Sequence, residues 1–153
     1  MSHPEEKLAE LGLKLPEVAK PVAAYVPVVR TGNLVYTSGQ LPLREGALIA
    51  TGKNGDGVSA EVAVECAQQC ALNALAAIKS EIGDLANITR IVKVVAFVAS
   101  TPDFTGQPQV ANGASELLGH VFAGAGQHAR SAVGVPVLPL DAPVEVELIV
   151  EVA

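Results

Sequence analysis

Arg130 stands near the start of the segment HARSAVGVPV, residues 128–137, and is its only charged side chain other than a titratable histidine. A guanidinium presents a planar fork of N–H donors that matches a carboxylate bidentately. Read as a strand, the segment puts Arg130, Ala132 and Gly134 on one face and Val133, Val135 and Val137 on the other. The valine face is expected to enter the core, and the arginine face to floor a small cavity with one guanidinium at its rim. The plainer alternative is a surface arginine paired with one of sixteen acidic residues. Glu145 is the second residue of interest. Over residues 144–152 the even positions are all apolar, while Glu145, Glu147, Ile149 and Glu151 share the other face. Glu147 and Glu151 read as a solvated outer face, which leaves Glu145 as the carboxylate with chemistry to do. If these two strands form a hairpin about residues 140 and 141, Arg130 lies opposite Glu151. Arg130 and Glu145 are then roughly 20 Å apart at about 3.3 Å per residue. They meet only across a subunit boundary or in another register.

The other reactive side chains carry less. Cys66 and Cys70 fall on one helix face, but no further Cys or His pair completes a tetrahedral metal site, so they read as buried small residues. In the turn-rich TGKNGDG, residues 51–57, Lys53 is followed by Asn54 rather than Ser or Thr, which does not fit a phosphate loop. Ser38 lacks the Gly-x-Ser-x-Gly context of a nucleophile elbow. His128 has the strand parity of Arg130 and reads as a partly exposed loop residue.

The elements that must position these groups follow an orderly ββ(β)αβαββ pattern of the α/β (α+β) class. Ser2-His3-Pro4-Glu5-Glu6 has the capping residue, early proline and acids of a helix start, with Gly12 as its stop. This N-terminal helical extension, residues 1–15, is expected to be a short appendage on a single 153-residue domain. A connector at 16–21 leads to strands at 25–29 and 34–37 around Thr31-Gly32-Asn33. Residues 46–50 offer a further strand. Ala63, Cys66, Ala67, Cys70, Ala74 and Ile78 recur at helical spacing over 59–82, with Gly83 as the stop. A β-branched strand at 91–98, a helix at 109–122 and strands at 131–137 and 144–152 complete the unit. Half the residues are hydrophobic but only 3% aromatic, so the core is built from alanine, valine and other small side chains. The net charge of −6, with ten scattered basic residues, argues against nucleic acid as a partner. No apolar run reaches the roughly 18 residues of a membrane span, so a cytoplasmic protein is expected.

Three segments together carry a resemblance: YTSGQLP (36–42), PDF (102–104) and HARSAVGVPVLPLDAPVEVE (128–147). In this order and spacing they resemble the RidA/YjgF family of imine deaminases, from about Tyr25 onward. The resemblance implies a chorismate-mutase-like fold with two helices on one face of a mixed sheet, assembled as a homotrimer with clefts between subunits. It implies hydrolysis of 2-imino acids to 2-oxoacids and ammonia, with no cofactor and no metal. The family's carboxylate-binding arginine falls on Arg130 and its water-positioning glutamate on Glu145. Its cleft tyrosine falls on Tyr25, its serine and glycine after the second strand on Ser38 and Gly39, and its helix-start asparagine on Asn112. The cysteine that follows the arginine by two positions in the deaminase subgroup is Ala132 here. That departure keeps a second reading open, a trimeric protein that binds small carboxylates without turnover. A third is the endoribonuclease activity attached to some relatives, against which the acidic composition speaks.

Overall fold

The computed structural model describes residues 2–20 and 24–153; Pro21, at the end of the predicted connector, lies outside them. In chain order the elements are α1 (His3–Glu10), β1 (Val28–Thr31), β2 (Leu34–Thr37), β3 (Leu43–Arg44), β4 (Ala47–Leu48), β5 (Lys53–Asn54), β6 (Gly57–Val58), α2 (Ala60–Ile82), β7 (Ile88–Ala99), α3 (Gln107–Phe122), β8 (Ala129–Val135) and β9 (Val144–Val152). Five strands form the main sheet in the order β1-β2-β9-β7-β8. The β1–β2, β2–β9 and β9–β7 pairs are antiparallel, and β7–β8 is parallel.

The helices begin and end where local chemistry tells them to. Ser59 Oγ accepts from Val62 N at 3.2 Å, and Gly83, at φ +85°, terminates α2 where a left-handed backbone suits glycine. Ser2 caps α1 in the same manner. Helix α1 is more than an appendage: Leu8 is fully buried in the common core, and Glu5 binds Lys79 of α2 at 2.8 Å. Helices α2 and α3 pack on each other, α2 against β9 and α3 against β7 and β8. Cys66 and Cys70 are buried in this layer; burial pushes the Cys66 thiol up to about 11 and the Cys70 thiol well above its usual range. Neither is poised for thiolate chemistry.

The terminal hairpin that the sequence allowed does not form. β7 lies between β8 and β9, so the two last strands never touch as neighbours. The reason is α3: a helix packed on the sheet between two strands returns the chain parallel to the first, and β8 must therefore join β7 on its far side. Residues 136–143, with Leu140 and Asp141 in left-handed backbone conformation, then carry the chain past β7 to β9. The register also inverts the expected faces of β8. Arg130 pairs with Val94 and Ala132 with Ala96, both fully buried beneath the helices, whereas Val133 pairs with Phe97 and is 45% exposed. The arginine face of β8 is thus the helix side, and its valine face belongs to the open side of the sheet. Val137, also expected in the core, is exposed beyond the strand.

A candidate site in two halves

On the helix side, β8 is an edge strand and α3 runs alongside it. Arg130 Nη1 donates to Asn112 Oδ1 at 2.8 Å and to Ser115 Oγ at 3.2 Å. Asn112 and Ser115 are three apart on α3 and so project from one helix face. Both protons of Nη1 are thereby used, while Nε and Nη2 bond to no described residue, leaving one edge of the fork for a ligand. Ala132 follows on the same strand face, half-buried against the core. His128 sits in the loop before β8, as expected, but is held at both ring nitrogens: Nε2 lies 2.8 Å from Ser115 Oγ and Nδ1 lies 2.6 Å from the Gly126 carbonyl.

Glu145 stands on the opposite face. It pairs with Phe97, which pairs with Val133, whereas the Arg130 row runs through Val94 to Leu148. Within one copy of the chain the two residues therefore cannot share a ligand. Around Glu145 is a cleft of about 50 Å3, lined among others by Tyr25, Pro27, Gly39, Gln40 and Pro139. That volume holds a few waters. A bridge between Gln40 and Val146, with N–H···O distances of 2.8 and 3.0 Å, sets residue 39 beside Glu145. A Cβ at position 39 would collide with the Glu145 carboxylate, so glycine there lets that side chain keep its place. Ser38 does not reach toward Glu145; its hydroxyl donates to the Val26 carbonyl at 2.5 Å and its N–H to the Pro27 carbonyl at 2.8 Å, which fastens the segment carrying Tyr25. Burial, and then the charge of Glu147, raises the Glu145 pKa above its ordinary value. Glu145 accepts no hydrogen bond from any described residue, so no donor among them offsets that shift.

Two supports were not foreseen from the sequence. Asn73, buried on α2, donates to the carbonyls of Leu41 and Leu43 at 3.0 Å each, and so anchors the strand exit beneath the Glu145 cleft. Asn54, read as part of a plain turn, is buried and donates to the carbonyls of Ala99 and Pro143 at 3.1 Å each. A polar residue inside an otherwise apolar helix stripe is the one signal that could have drawn attention to Asn73. Ser115 had a signal too, lying three residues after Asn112. Among the described residues, no group of three or more His, Cys, Asp or Glu side chains is arranged to hold a metal ion, and no helix is long and apolar enough to cross a membrane.

The chain and its fold have counterparts among known proteins. The chain is 45% identical to the Agrobacterium tumefaciens protein Atu1372, of unknown function, whose crystal structure superposes with a TM-score of 0.93, covering 99% of this chain and 93% of that one. "Protein TCP17" of Trypanosoma cruzi is 43% identical over 94% of this chain and 91% of its own length. A 2-iminobutanoate/2-iminopropanoate deaminase of Dermatophagoides farinae is 30% identical over 90% of this chain and 93% of its own. The model of the family described as "YjgF/chorismate_mutase-like, putative endoribonuclease" matches residues 5–152, so the likeness extends into α1 rather than beginning near Tyr25. With the helix layer, the sheet and both half-sites inside that match, the chain belongs to the YjgF/chorismate mutase-like family.

Proposed function

We propose that the protein hydrolyses reactive 2-imino acids to 2-oxoacids and ammonia, in a site completed when the Arg130 half of one copy meets the Glu145 half of another. The observation that carries this reading is the placement of two prepared halves on opposite faces of one sheet, each lacking what the other supplies. The free edge of Arg130 takes the substrate carboxylate and fixes the C=N carbon next to a water held by Glu145. The water oxygen bonds to that carbon as Glu145 takes its proton. Glu145 then returns the proton to nitrogen; as the C–N bond breaks and ammonia leaves, the hydroxyl oxygen closes the C=O bond and gives its remaining proton to Glu145, from which ammonia carries it off as ammonium, and a 2-oxoacid remains. A carboxyl with a raised pKa suits both directions of this transfer. The substrate's own iminium carbon is the electrophile, so Ala132 in place of a thiol removes no step, and a backbone carbonyl at this position can still accept a hydrogen bond.

A homotrimer fits this reading. Val29 and Tyr36, on the open sheet face, are 52% and 41% exposed, and Val133 shares that face; such an apolar band is what a neighbouring copy would cover. The deciding experiment is ammonia release from freshly generated 2-iminobutanoate, with RNA cleavage assayed in parallel. Release without RNA cleavage supports the proposal. Carboxylate binding without release favours the binding-protein reading that Ala132 keeps open, and RNA cleavage the endoribonuclease one.

A further inference from the structure

We infer that Ser115 and His128 are positioning residues that aim Arg130, through a hydrogen-bond relay running from the Gly126 carbonyl to the guanidinium. This rests on the reading of Arg130 as a carboxylate clamp and adds to it the groups that set the direction of the clamp.

The direction of each bond follows from what each atom can do. The Gly126 carbonyl only accepts, so His128 Nδ1, 2.6 Å away, carries a proton. In the neutral ring Nε2 then has only a lone pair, and the contact of 2.8 Å with Ser115 Oγ makes the serine hydroxyl the donor. With its proton committed to His128, Ser115 Oγ turns its lone pairs elsewhere, and Arg130 Nη1 donates to one of them at 3.2 Å. Gly126 is itself buried and closely packed, since a Cβ there would strike the backbone of Leu118 on α3. The relay therefore begins on a fixed carbonyl. Asn112 takes the other Nη1 proton, and together the two acceptors fix the rotation of the guanidinium plane. The consequence is a side-on clamp: the ligand meets the Nε–Nη2 edge, already oriented, and an arginine with several rotatable bonds need not be ordered on binding.

This assigns distinct outcomes to variants that touch neither the ligand nor Glu145. Ser115→Ala removes one of the two acceptors for Nη1 and leaves Asn112. His128→Asn keeps a donor for the Gly126 carbonyl but cannot reach Ser115, whereas His128→Gln places an amide oxygen near the Nε2 position and restores an acceptor for the serine hydroxyl. On the full chain, calorimetric titration with 2-oxobutanoate is expected to give Kd values about fivefold weaker for Ser115→Ala and His128→Asn, with partial recovery in His128→Gln. Turnover of 2-iminobutanoate is expected to show the loss in KM, with kcat changed by less than about twofold, because the Glu145 half is untouched. A residue that merely supports folding would lower melting temperature without that split or that rescue. Nitrogen-15 spectra of the imidazole supply a readout independent of any ligand: Ser115→Ala should shift Nε2 and leave Nδ1 protonated. Wild-type affinity in both Ser115→Ala and His128→Asn, or equal losses in His128→Asn and His128→Gln, would overturn the relay while leaving Arg130 as the clamp. Failure of the wild type itself to bind 2-oxobutanoate or release ammonia would instead overturn the reading of the site, and the positioning role with it.

Discussion

The two halves of the candidate site are built in opposite ways. The Arg130 half comes from a short stretch of chain, with Asn112, Ser115, His128 and Arg130 joined by direct side-chain hydrogen bonds. The Glu145 half is gathered from distant segments, residues 25–43 and 139–145, and is held by backbone bridges and by the missing side chain of Gly39. One half fixes its charged group; the other leaves its carboxylate without a donor among the described residues. The difference matches two tasks. A clamp gains from being rigid before the ligand arrives, while a proton carrier must keep its lone pairs for a water and for what the water becomes.

The sharpest way to break this contrast is Glu145→Gln, which keeps the shape and removes the proton acceptor. Ammonia release from 2-iminobutanoate should fall by roughly 10²- to 10⁴-fold with 2-oxobutanoate affinity nearly unchanged, as measured by coupled assay and calorimetry. An undiminished rate would remove Glu145 from the chemistry. Arg130→Ala should do the reverse and weaken 2-oxobutanoate binding at least tenfold, in line with about 2 to 5 kcal/mol for losing one partner of a desolvated charged pair. Arg130→Lys should recover only part of this, since a point charge replaces the fork. Mixing these two variants tests whether halves from different copies meet. Co-assembled Arg130→Ala and Glu145→Gln chains should regain roughly a quarter of wild-type activity, because that fraction of sites pairs two intact halves. No recovery on mixing would refute a shared site.

The smallest effect concerns pH. Glu145 holds its proton more tightly folded than in an unfolded chain, so its contribution to stability is present at low pH and is lost as pH rises from the ordinary glutamate value of 4.5 through the raised one. Glu145→Gln does not titrate. Its melting temperature should therefore gain on the wild type across that interval, by a margin worth less than about 1 kcal/mol because the carboxyl is half in solvent. A gain appearing only outside that interval would mean that Glu145 does not titrate as its surroundings imply.

Much of this was legible in the sequence, and the failures share one cause. Periodicity located α2, α3, β7 and β9, because burial of one face leaves a local signature at every third or fourth, or every second, residue. The even face of β9 is buried from Val144 to Val152, as read. Which strand lies beside which has no such local signature. Ser131 to Val137 looks like a strand whose valines go inward, and its true faces are set by pairing with β7, more than thirty residues earlier. Hence Arg130 was found by residue type and placed on the wrong face by parity. Whether it can meet Glu145 within one chain stays open in the sequence, because the answer depends on which strand pairs with which. Ser115 and Asn73 escaped because a polar residue on a helix is common, and only its buried partner shows what it does.

β9 is the latest of the five strands in sequence and the middle one in space. Every hydrogen-bonded path across the sheet from β1–β2 to β7–β8 passes through it, so residues 144–152 act as a keystone. Without them the sheet would be two separate pairs of strands, and two-stranded pieces are marginal in water even before a helix layer must be held. A peptide that competed for the place of β9, or a lesion that frayed it, would disconnect the molecule rather than trim it. The same strand carries Glu145, so chemistry and cohesion would be lost in one event.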